Sequence, residues 1–244
     1  MTIATTIITT HSSPRFFASH LQNFLIAGCD TAAQSLAWMF LELWRHPGYV
    51  SKIHQELAEM LGTGVEQRNM AYDDIKAMPF LQACYYEAIR LWPSVPKNIK
   101  LVVADDVIVP GDAATIDDLQ RVIVKKGETV CWSDWVMARM PEVWGPDCQI
   151  FKPERFLTQS STPGGQSKFK TYSQWQFHAF NAGPRVCLGK SLATYEGMCV
   201  AAAVLGKYNV IYDDEKLKTD FPVFTDSVTL PCTPYHVRFH ARRG

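Results

Sequence analysis

One cysteine of the chain lies in a setting that favours its thiolate form. Cys187 comes just before a predicted helix, and the N–H groups and dipole at the start of a helix stabilise negative charge. The thiolate is the form of cysteine that ligates metals. Gly183 permits a tight turn nearby, and Arg185 can form a charge-assisted pair with an anionic group. For any single cysteine the alternative is a buried structural thiol, which would normally be preferred.

Two polar pairs on predicted helices are further candidates. Glu87 and Arg90 are three residues apart, so they share a helix face and can pair. Asp30 and Thr31 interrupt an apolar helix, where a threonine can bond a preceding carbonyl and local distortion often marks a functional site. Alone, each pair also fits an ordinary ion pair or an ordinary polar pair.

The elements that must position these residues are mainly helical. Apolar periodicity predicts helices from about Ser19 to Arg45, Pro47 to Leu61, Pro79 to Trp92, and Leu188 to Lys207. Short β-rich runs fall between the third and fourth helices, and Lys126-Gly127 is a predicted turn between the last two. These runs are Ile99–Val103, Val107–Val109, Val122–Val124 and Thr129–Trp132. The stretch from Pro141 to Phe180 is predicted to be a loop, and the tail strand and turn. The predicted fold class is mainly α with a small β portion.

Composition restricts the classes of function. Lys plus Arg and Asp plus Glu number 24 each, and this balance argues against a nucleic-acid-binding protein. Seven cysteines, an odd number without zinc spacing, argue against a disulfide scaffold and indicate a reducing compartment.

The beginning of the chain differs from the rest. Residues 1–18 are predicted to be a disordered leader, with a mitochondrial transit peptide as the alternative, and 19–244 form the domain. The apolar stretch from Phe16 to Trp44 is broken by polar residues, so no uninterrupted run is long enough to span a bilayer.

The segment from Phe180 to Gly189, FNAGPRVCLG, matches the pattern F-x-x-G-x-R-x-C-x-G at every fixed position. In this segment the chain resembles the cytochrome P450 family, in which the cysteine thiolate ligates the iron of haem b and favours O–O cleavage. The resemblance implies that Cys187 is the metal ligand, that Arg185 meets a haem propionate, and that Gly189 allows close approach of the macrocycle. Phe180 and Gly183 complete the predicted cofactor-binding set.

Three further motifs occur in the order that the family has them. Ala27-Gly28-Cys29-Asp30-Thr31 resembles its A-G-x-D-T helix, which implies that Thr31 is an oxygen-side hydrogen-bond donor and Asp30 a proton relay. Glu87, Arg90 and the Arg155 of Pro153–Phe156 resemble a buried structural network that fixes the cysteine-bearing loop. Lys100 stands where the family has a basic residue for the second propionate, with charge kept but bidentate geometry lost.

The resemblance covers about residues 19–240 and corresponds to the carboxy-terminal half of the family's fold, which is therefore expected to be incomplete. Four segments look most like fungal alkane and fatty-acid hydroxylases, namely Pro93–Asn98, Val124–Gly127, Trp144–Asp147 and Phe180–Lys190. On that basis Ile26, Ala27, Val95 and the turn at 230–234 would line an apolar substrate pocket, although each also fits ordinary core.

The resemblance implies a haem-thiolate monooxygenase that inserts one atom of dioxygen into a lipophilic substrate with electrons from an NADPH-dependent reductase. The alternative is a truncated, impaired remnant that at most binds haem, since the resemblance leads us to expect that the family's membrane anchor, lid helices and a propionate-binding helix are missing. The surfaces left bare are expected to be apolar. The family's location is the endoplasmic reticulum membrane; without the anchor, the chain is expected to be cytoplasmic or membrane-peripheral.

Overall fold

The computed structural model describes residues 14–62, 68–109, 121–158, 167–218, 229 and 236–242. Its helices are α1 Pro14–Arg45, α2 Pro47–Leu61, α3 Pro79–Leu91, α4 Asp134–Met137, α5 Pro141–Trp144 and α6 Lys190–Lys207. Its strands are β1 Lys97–Leu101, β2 Asp106–Ile108, β3 Val122–Val124, β4 Thr129–Ser133, β5 Tyr208–Tyr212 and β6 Val237–Ala241. The mainly helical class with a small β portion is confirmed.

Helix α1 begins at Pro14, earlier than the predicted start near Ser19. Residues 15–30 are all exposed, so the start of this helix is not marked by side chains that pack into the core. Proline is well suited to a first helical position because its φ is already helical and it lacks only an N–H that would have no partner there. The part of the predicted leader that lies within the described residues, 14–18, is therefore helical, and the rest lies outside them.

The second half of α1 passes through the protein core. Trp38, Met39 and Leu41 are completely buried, whereas Leu25 and Ile26 in the first half are exposed. By length and composition, Arg15–Arg45 is apolar enough to cross a membrane, although no single unbroken apolar run accounts for this. Core helices and signal sequences meet the same criterion, so it does not distinguish among these roles for α1.

The core is built where α1, α3 and α6 pack on one another, with α2 against all three. Tyr85 of α3 is completely buried, and its hydroxyl lies 3.1 Å from Ser35 Oγ of α1 and donates to the carbonyl of Ala193 on α6 at 3.0 Å. Its ring occupies the space beside Gly197, where an added Cβ would lie 2.4 Å from it. Only glycine at this position allows the two helices to approach so closely.

The strands form three two-stranded antiparallel sheets, β1 with β4, β2 with β3, and β5 with β6. The predicted turn at Lys126-Gly127 exists, with Gly127 at φ 91°, but it does not join a hairpin of β3 and β4. Instead β3 pairs with β2 and β4 pairs with β1, so that β2 and β3 lie between β1 and β4 in the sequence. In β1–β4, Asn98 is opposite Trp132 and Lys100 is opposite Val130.

The stretch from 141 to 180, predicted as a loop, contains α5 and a 3-10 turn at Pro153–Phe156. Both begin at a proline and are only four residues long, too short to show apolar periodicity. Their aromatic side chains pack inward: Phe156 stacks on Phe169 at 6.0 Å and meets Phe177 edge-on at 5.4 Å. Phe177 of this aromatic cluster contacts Phe180, in the segment that carries Cys187, with ring centroids 6.2 Å apart.

Candidate functional site

The cysteine loop, defined here as residues 178–189, is closed by main-chain hydrogen bonds. The N–H of Cys187 donates to the carbonyl of Phe180 at 2.8 Å, and the N–H of Val186 donates to the carbonyl of Gly183 at 3.1 Å. Gly189 is the N-cap of α6, so Cys187 stands two residues before the cap and three before the first helical residue, Lys190. The thiol of Cys187 is free and exposed. The loop therefore holds the cysteine backbone firmly while leaving its sulfur open to a ligand.

Two residues of the loop adopt left-handed backbone conformations. Gly183 has φ 63°, and a Cβ there would lie 3.3 Å from the ring of Trp175, so the predicted tight turn is present and requires glycine. Asn181 also has φ 63°, a conformation that asparagine tolerates better than most residues, and its Oδ1 accepts from the N–H of Ala182 at 3.0 Å. At Gly189, an added Cβ would meet only Cys187 Sγ at 3.8 Å, so the protein itself does not require glycine there.

The residues predicted to bind a cofactor together with Cys187 have exposed neighbours in the sequence and include two exposed cations. Leu188 is 90% exposed, and Leu192 on α6 is also exposed. Arg185 and Lys100 are exposed and make no ion pair with any residue that the structure describes. Apolar contact plus two uncommitted cations suits a flat apolar ligand that carries carboxylates.

Thr31 and Asp30 lie on α1 at the border between its exposed and buried halves. Thr31 Oγ1 donates to the carbonyl of Ala27 at 2.7 Å, which is the back-bond expected of a mid-helix threonine. The hydroxyl hydrogen is thus engaged, and its oxygen can accept a hydrogen bond from water. The carbonyl of Thr31 accepts from Ser94 Oγ at 2.8 Å, which ties α1 to the segment before β1. Asp30 is exposed.

The predicted network around Glu87 is confirmed. Glu87 and Arg90 are almost completely buried, and Arg90 donates to both carboxylate oxygens, Nε to Oε2 at 2.7 Å and Nη2 to Oε1 at 2.9 Å. Arg155 Nε adds a bond to Oε1 at 3.2 Å, and the main-chain N–H of Lys152 donates to the same oxygen at 2.9 Å. Burial raises the pKa of Glu87, and its bonds to Arg90 act in the opposite direction.

Asp147 extends this network, although no role for it was predicted from the sequence. Its Oδ1 accepts from Arg155 Nη1 at 2.7 Å and its Oδ2 from Lys152 Nζ at 2.8 Å. The bonds from Lys152 and Arg155 lower the pKa of Asp147 to about 2. The sequence signal was its place in the family-like segment Trp144–Asp147, which indicated resemblance without indicating a partner.

A second buried cluster, the Asp134 cluster, consists of Asp134, His178 and Asn98 and was also missed. Asp134 is 5% exposed; its Oδ1 lies 2.6 Å from His178 Nδ1, and its Oδ2 accepts from Asn98 Nδ2 at 2.6 Å. Burial raises the pKa of Asp134, while the bonds from His178 and Asn98 act against this. The three residues are distant in sequence, with no shared motif, so only the fold shows that they meet.

Comparison with known proteins agrees with this geometry. A sequence model of the family described as Cytochrome P450 matches residues 17–239. Cytochrome P450 86B1 of Arabidopsis thaliana is 36% identical over 81% of this chain and 34% of its own length. A cytochrome P450 monooxygenase, cyp1, of Mycosarcoma maydis is 36% identical over 77% of this chain and 28% of its own length. Cytochrome P450 52A5 of Candida maltosa is 32% identical over 84% of this chain and 37% of its own length.

Plant and fungal proteins are thus both among the relatives, and the chain spans about a third of their length. The family match covers nearly the whole chain, including the cysteine loop, the Glu87 network and the Asp30–Thr31 pair. The chain therefore belongs to the cytochrome P450 family, whose cofactor is haem b.

Proposed function

We propose that this chain binds haem b through Cys187 and serves a monooxygenase reaction on a lipophilic substrate. The observation that carries the proposal is the cysteine loop: a cysteine with a bonded backbone and an exposed thiol stands at the start of a long helix. The thiolate-ligated haem iron supplies the activation of dioxygen, because the thiolate favours O–O cleavage. In the overall reaction a C–H bond takes one oxygen atom, and two electrons and two protons convert the other to water.

The residues around Cys187 fit this cofactor. Exposed Leu188 and Leu192 offer apolar contact to a macrocycle, and among the described residues a Cβ at Gly189 would meet only Cys187 Sγ, at 3.8 Å. Arg185 and Lys100 would hold the two propionates, Arg185 in a fork geometry and Lys100 as a point charge.

Phe180 and Gly183, the other residues predicted to bind the cofactor, would act through the backbone of the cysteine loop. Phe180 supplies the carbonyl that fixes the Cys187 backbone, and Gly183 supplies the turn that brings Arg185 round. They would thus act by shaping the loop.

Thr31 and Asp30 would deliver protons on the face of the cofactor opposite to Cys187. Because the hydroxyl hydrogen of Thr31 is donated to Ala27, the residue would first accept a hydrogen bond from water rather than donate one. As a donor it would have to give up that bond. Asp30, exposed and adjacent, would pass protons from solvent to this water.

The substrate class is inferred from the fungal resemblance and is a fatty acid, an alkane or a similar lipophilic compound. Ile26, Ala27 and Val95 would line its pocket; the turn at 230–234 lies outside the described residues. Electrons would come from an NADPH-dependent reductase. The family's setting is the endoplasmic reticulum membrane, and the exposed apolar residues of α1 would support peripheral contact with a membrane.

The test is turnover by the haem-reconstituted chain with NADPH, a microsomal reductase and a fatty acid under ¹⁸O-labelled dioxygen. Mass spectrometry should find a hydroxylated product with one labelled oxygen, absent with Cys187→Ala and reduced with Thr31→Ala. Product formed equally by Cys187→Ala would contradict the proposal.

A second function, haem binding without turnover, is favoured by one observation. Residues 15–30 of α1 are all exposed, so the described residues do not enclose the face that Thr31 occupies and water has access to it. Cys187-dependent haem uptake without labelled product would identify this function.

A further inference from the structure

We infer that the Asp134 cluster is a positioning device that sets the cysteine loop and strand β1 relative to each other. The inference rests on the proposed function, because it concerns residues that would hold haem. Cys187 and Lys100 are far apart in sequence, yet both would have to meet one rigid ligand. Something in the fold must fix their separation.

The Asp134 carboxylate joins the two segments directly. One oxygen pairs with His178, the first residue of the cysteine loop, and the other accepts from Asn98 on β1, each at 2.6 Å. His178 leads into the loop, since its carbonyl accepts from the N–H of Asn181 at 2.7 Å. Asn98 and Lys100 are two residues apart on one strand and therefore share a face.

Asp134 itself is held in a fixed place. It is the first residue of α4, which Ser133 caps by accepting from the N–H of Val136 at 3.3 Å. Ser133 ends strand β4, whose register pairs Lys97 with Ser133. The carboxylate therefore projects from a corner that the sheet and the helix cap both define.

The cluster is shielded on its other sides. Trp132 meets the ring of His178 edge-on at 6.2 Å. Arg90 and Gln176 line a small cavity that Asp134 and His178 also line, so a charged member of the Glu87 network faces the pair. Loss of these donors costs free energy because water cannot readily replace them at a buried carboxylate. The hydrogen bonds of Asp134 therefore hold their partners more firmly than those of a surface ion pair.

Loss of a residue that positions a ligand-holding group, without touching the ligand itself, typically weakens binding about 10–100-fold. We expect an effect of this size on haem binding when the Asp134 cluster is disrupted. In the haem-reconstituted full chain, Asp134→Asn and His178→Leu should raise the haem dissociation constant by roughly this factor. Both should also convert part of the red-shifted reduced carbon-monoxide band to the unshifted form. His178→Asn, which places a donor near the position of Nδ1, should restore most of both properties.

Matched controls are Asp106→Asn and His240→Leu, both at exposed positions on strands β2 and β6. They should leave affinity and band unchanged. A space-filling role for His178 would give the opposite ranking, since leucine fills its volume better than asparagine does. Unchanged haem affinity and band in Asp134→Asn and His178→Leu would overturn the inference.

Hydrogen–deuterium exchange of the haem-free chain separates this inference from the proposed function. Asp134→Asn should speed exchange in both 97–101 and 178–187, and Asn98→Ala should speed it in the loop as well as in β1. If the wild-type chain takes up no haem, the proposed function fails and these exchange rates still decide the coupling. Rates that stay at wild-type values, or change only in the segment that carries the substitution, would refute it.

Discussion

Glu87 is the shared acceptor of a buried network of ion pairs and hydrogen bonds. Its carboxylate is completely buried and accepts from Arg90, Arg155 and the main chain of Lys152. Burial alone would disfavour the charged form, and these donors offset that cost. The E-x-x-R spacing and the Pro153–Phe156 segment were sufficient to predict the network, because the family resemblance supplied the contact between distant segments.

Removing the charge of Glu87 should therefore strongly destabilise the chain. Glu87→Gln leaves two buried guanidinium groups without their shared anion, which costs roughly 3–5 kcal/mol. Urea unfolding followed by circular dichroism measures the loss, and Glu142→Gln, at an exposed position on α5, is the matched control. A difference below about 1 kcal/mol, typical of a surface pair, would show that the network is dispensable.

Asp147 should make stability depend on acid pH. Its pKa is lowered from 3.8 to about 2 in the folded chain, chiefly by hydrogen bonds from Lys152 and Arg155. The stabilisation is therefore present above the ordinary pKa and is lost as pH falls towards about 2. The Tm advantage of wild type over Asp147→Asn should be constant near neutrality and shrink below about pH 4. An advantage that does not change from pH 7 to the acid limit of folding would contradict this assignment.

At the scale of elements, helices were predictable and strand partners were not. The bounds of α2 match the prediction because Pro47 starts it and an apolar stripe runs to Leu61 before Gly62. Strand β1 pairs with β4, although β2 and β3 lie between them in the sequence. Local sequence patterns do not encode a pairing of this kind. For the same reason the Asp134 cluster could not be predicted: its three members lie on separate elements that only tertiary folding brings together.

Helix packing at Gly197 should be intolerant of a single methyl group. Gly197→Ala places a Cβ 2.4 Å from the ring of Tyr85, which is held by Ser35 and Ala193, so we expect a loss of about 1–3 kcal/mol. Gly28→Ala is the control, since its Cβ would meet nothing within 4 Å and alanine favours a helix interior by about 0.5–1 kcal/mol. Equal unfolding midpoints for the two variants would contradict the close approach of α3 and α6.

At the scale of the whole molecule, apolar residues are distributed unevenly. The second half of α1 contributes completely buried side chains to the core, whereas Phe17, Phe24, Leu25 and Ile26 in its first half are exposed by more than half. Such a surface on an isolated chain is expected to associate. The predicted bare apolar surface is thus present on the described residues.

Self-association should therefore depend on these exposed apolar residues of α1. Leu25→Glu combined with Ile26→Glu should shift sedimentation velocity profiles towards monomer at concentrations where wild type associates. Gln22→Glu combined with Asn23→Glu adds the same charge at exposed polar positions of the same helix and should have a smaller effect. If both pairs act equally, net charge rather than the exposed apolar residues governs association.

The most direct test of the account is the reduced, carbon-monoxide-bound absorption spectrum of the haem-reconstituted chain. Wild type and Cys131→Ala, which removes another exposed thiol, should show the red-shifted Soret band of thiolate ligation. Cys187→Ala should lose it. A red-shifted band that persists in Cys187→Ala, or no haem uptake by the wild-type chain, would contradict the assignment of Cys187 as the iron ligand.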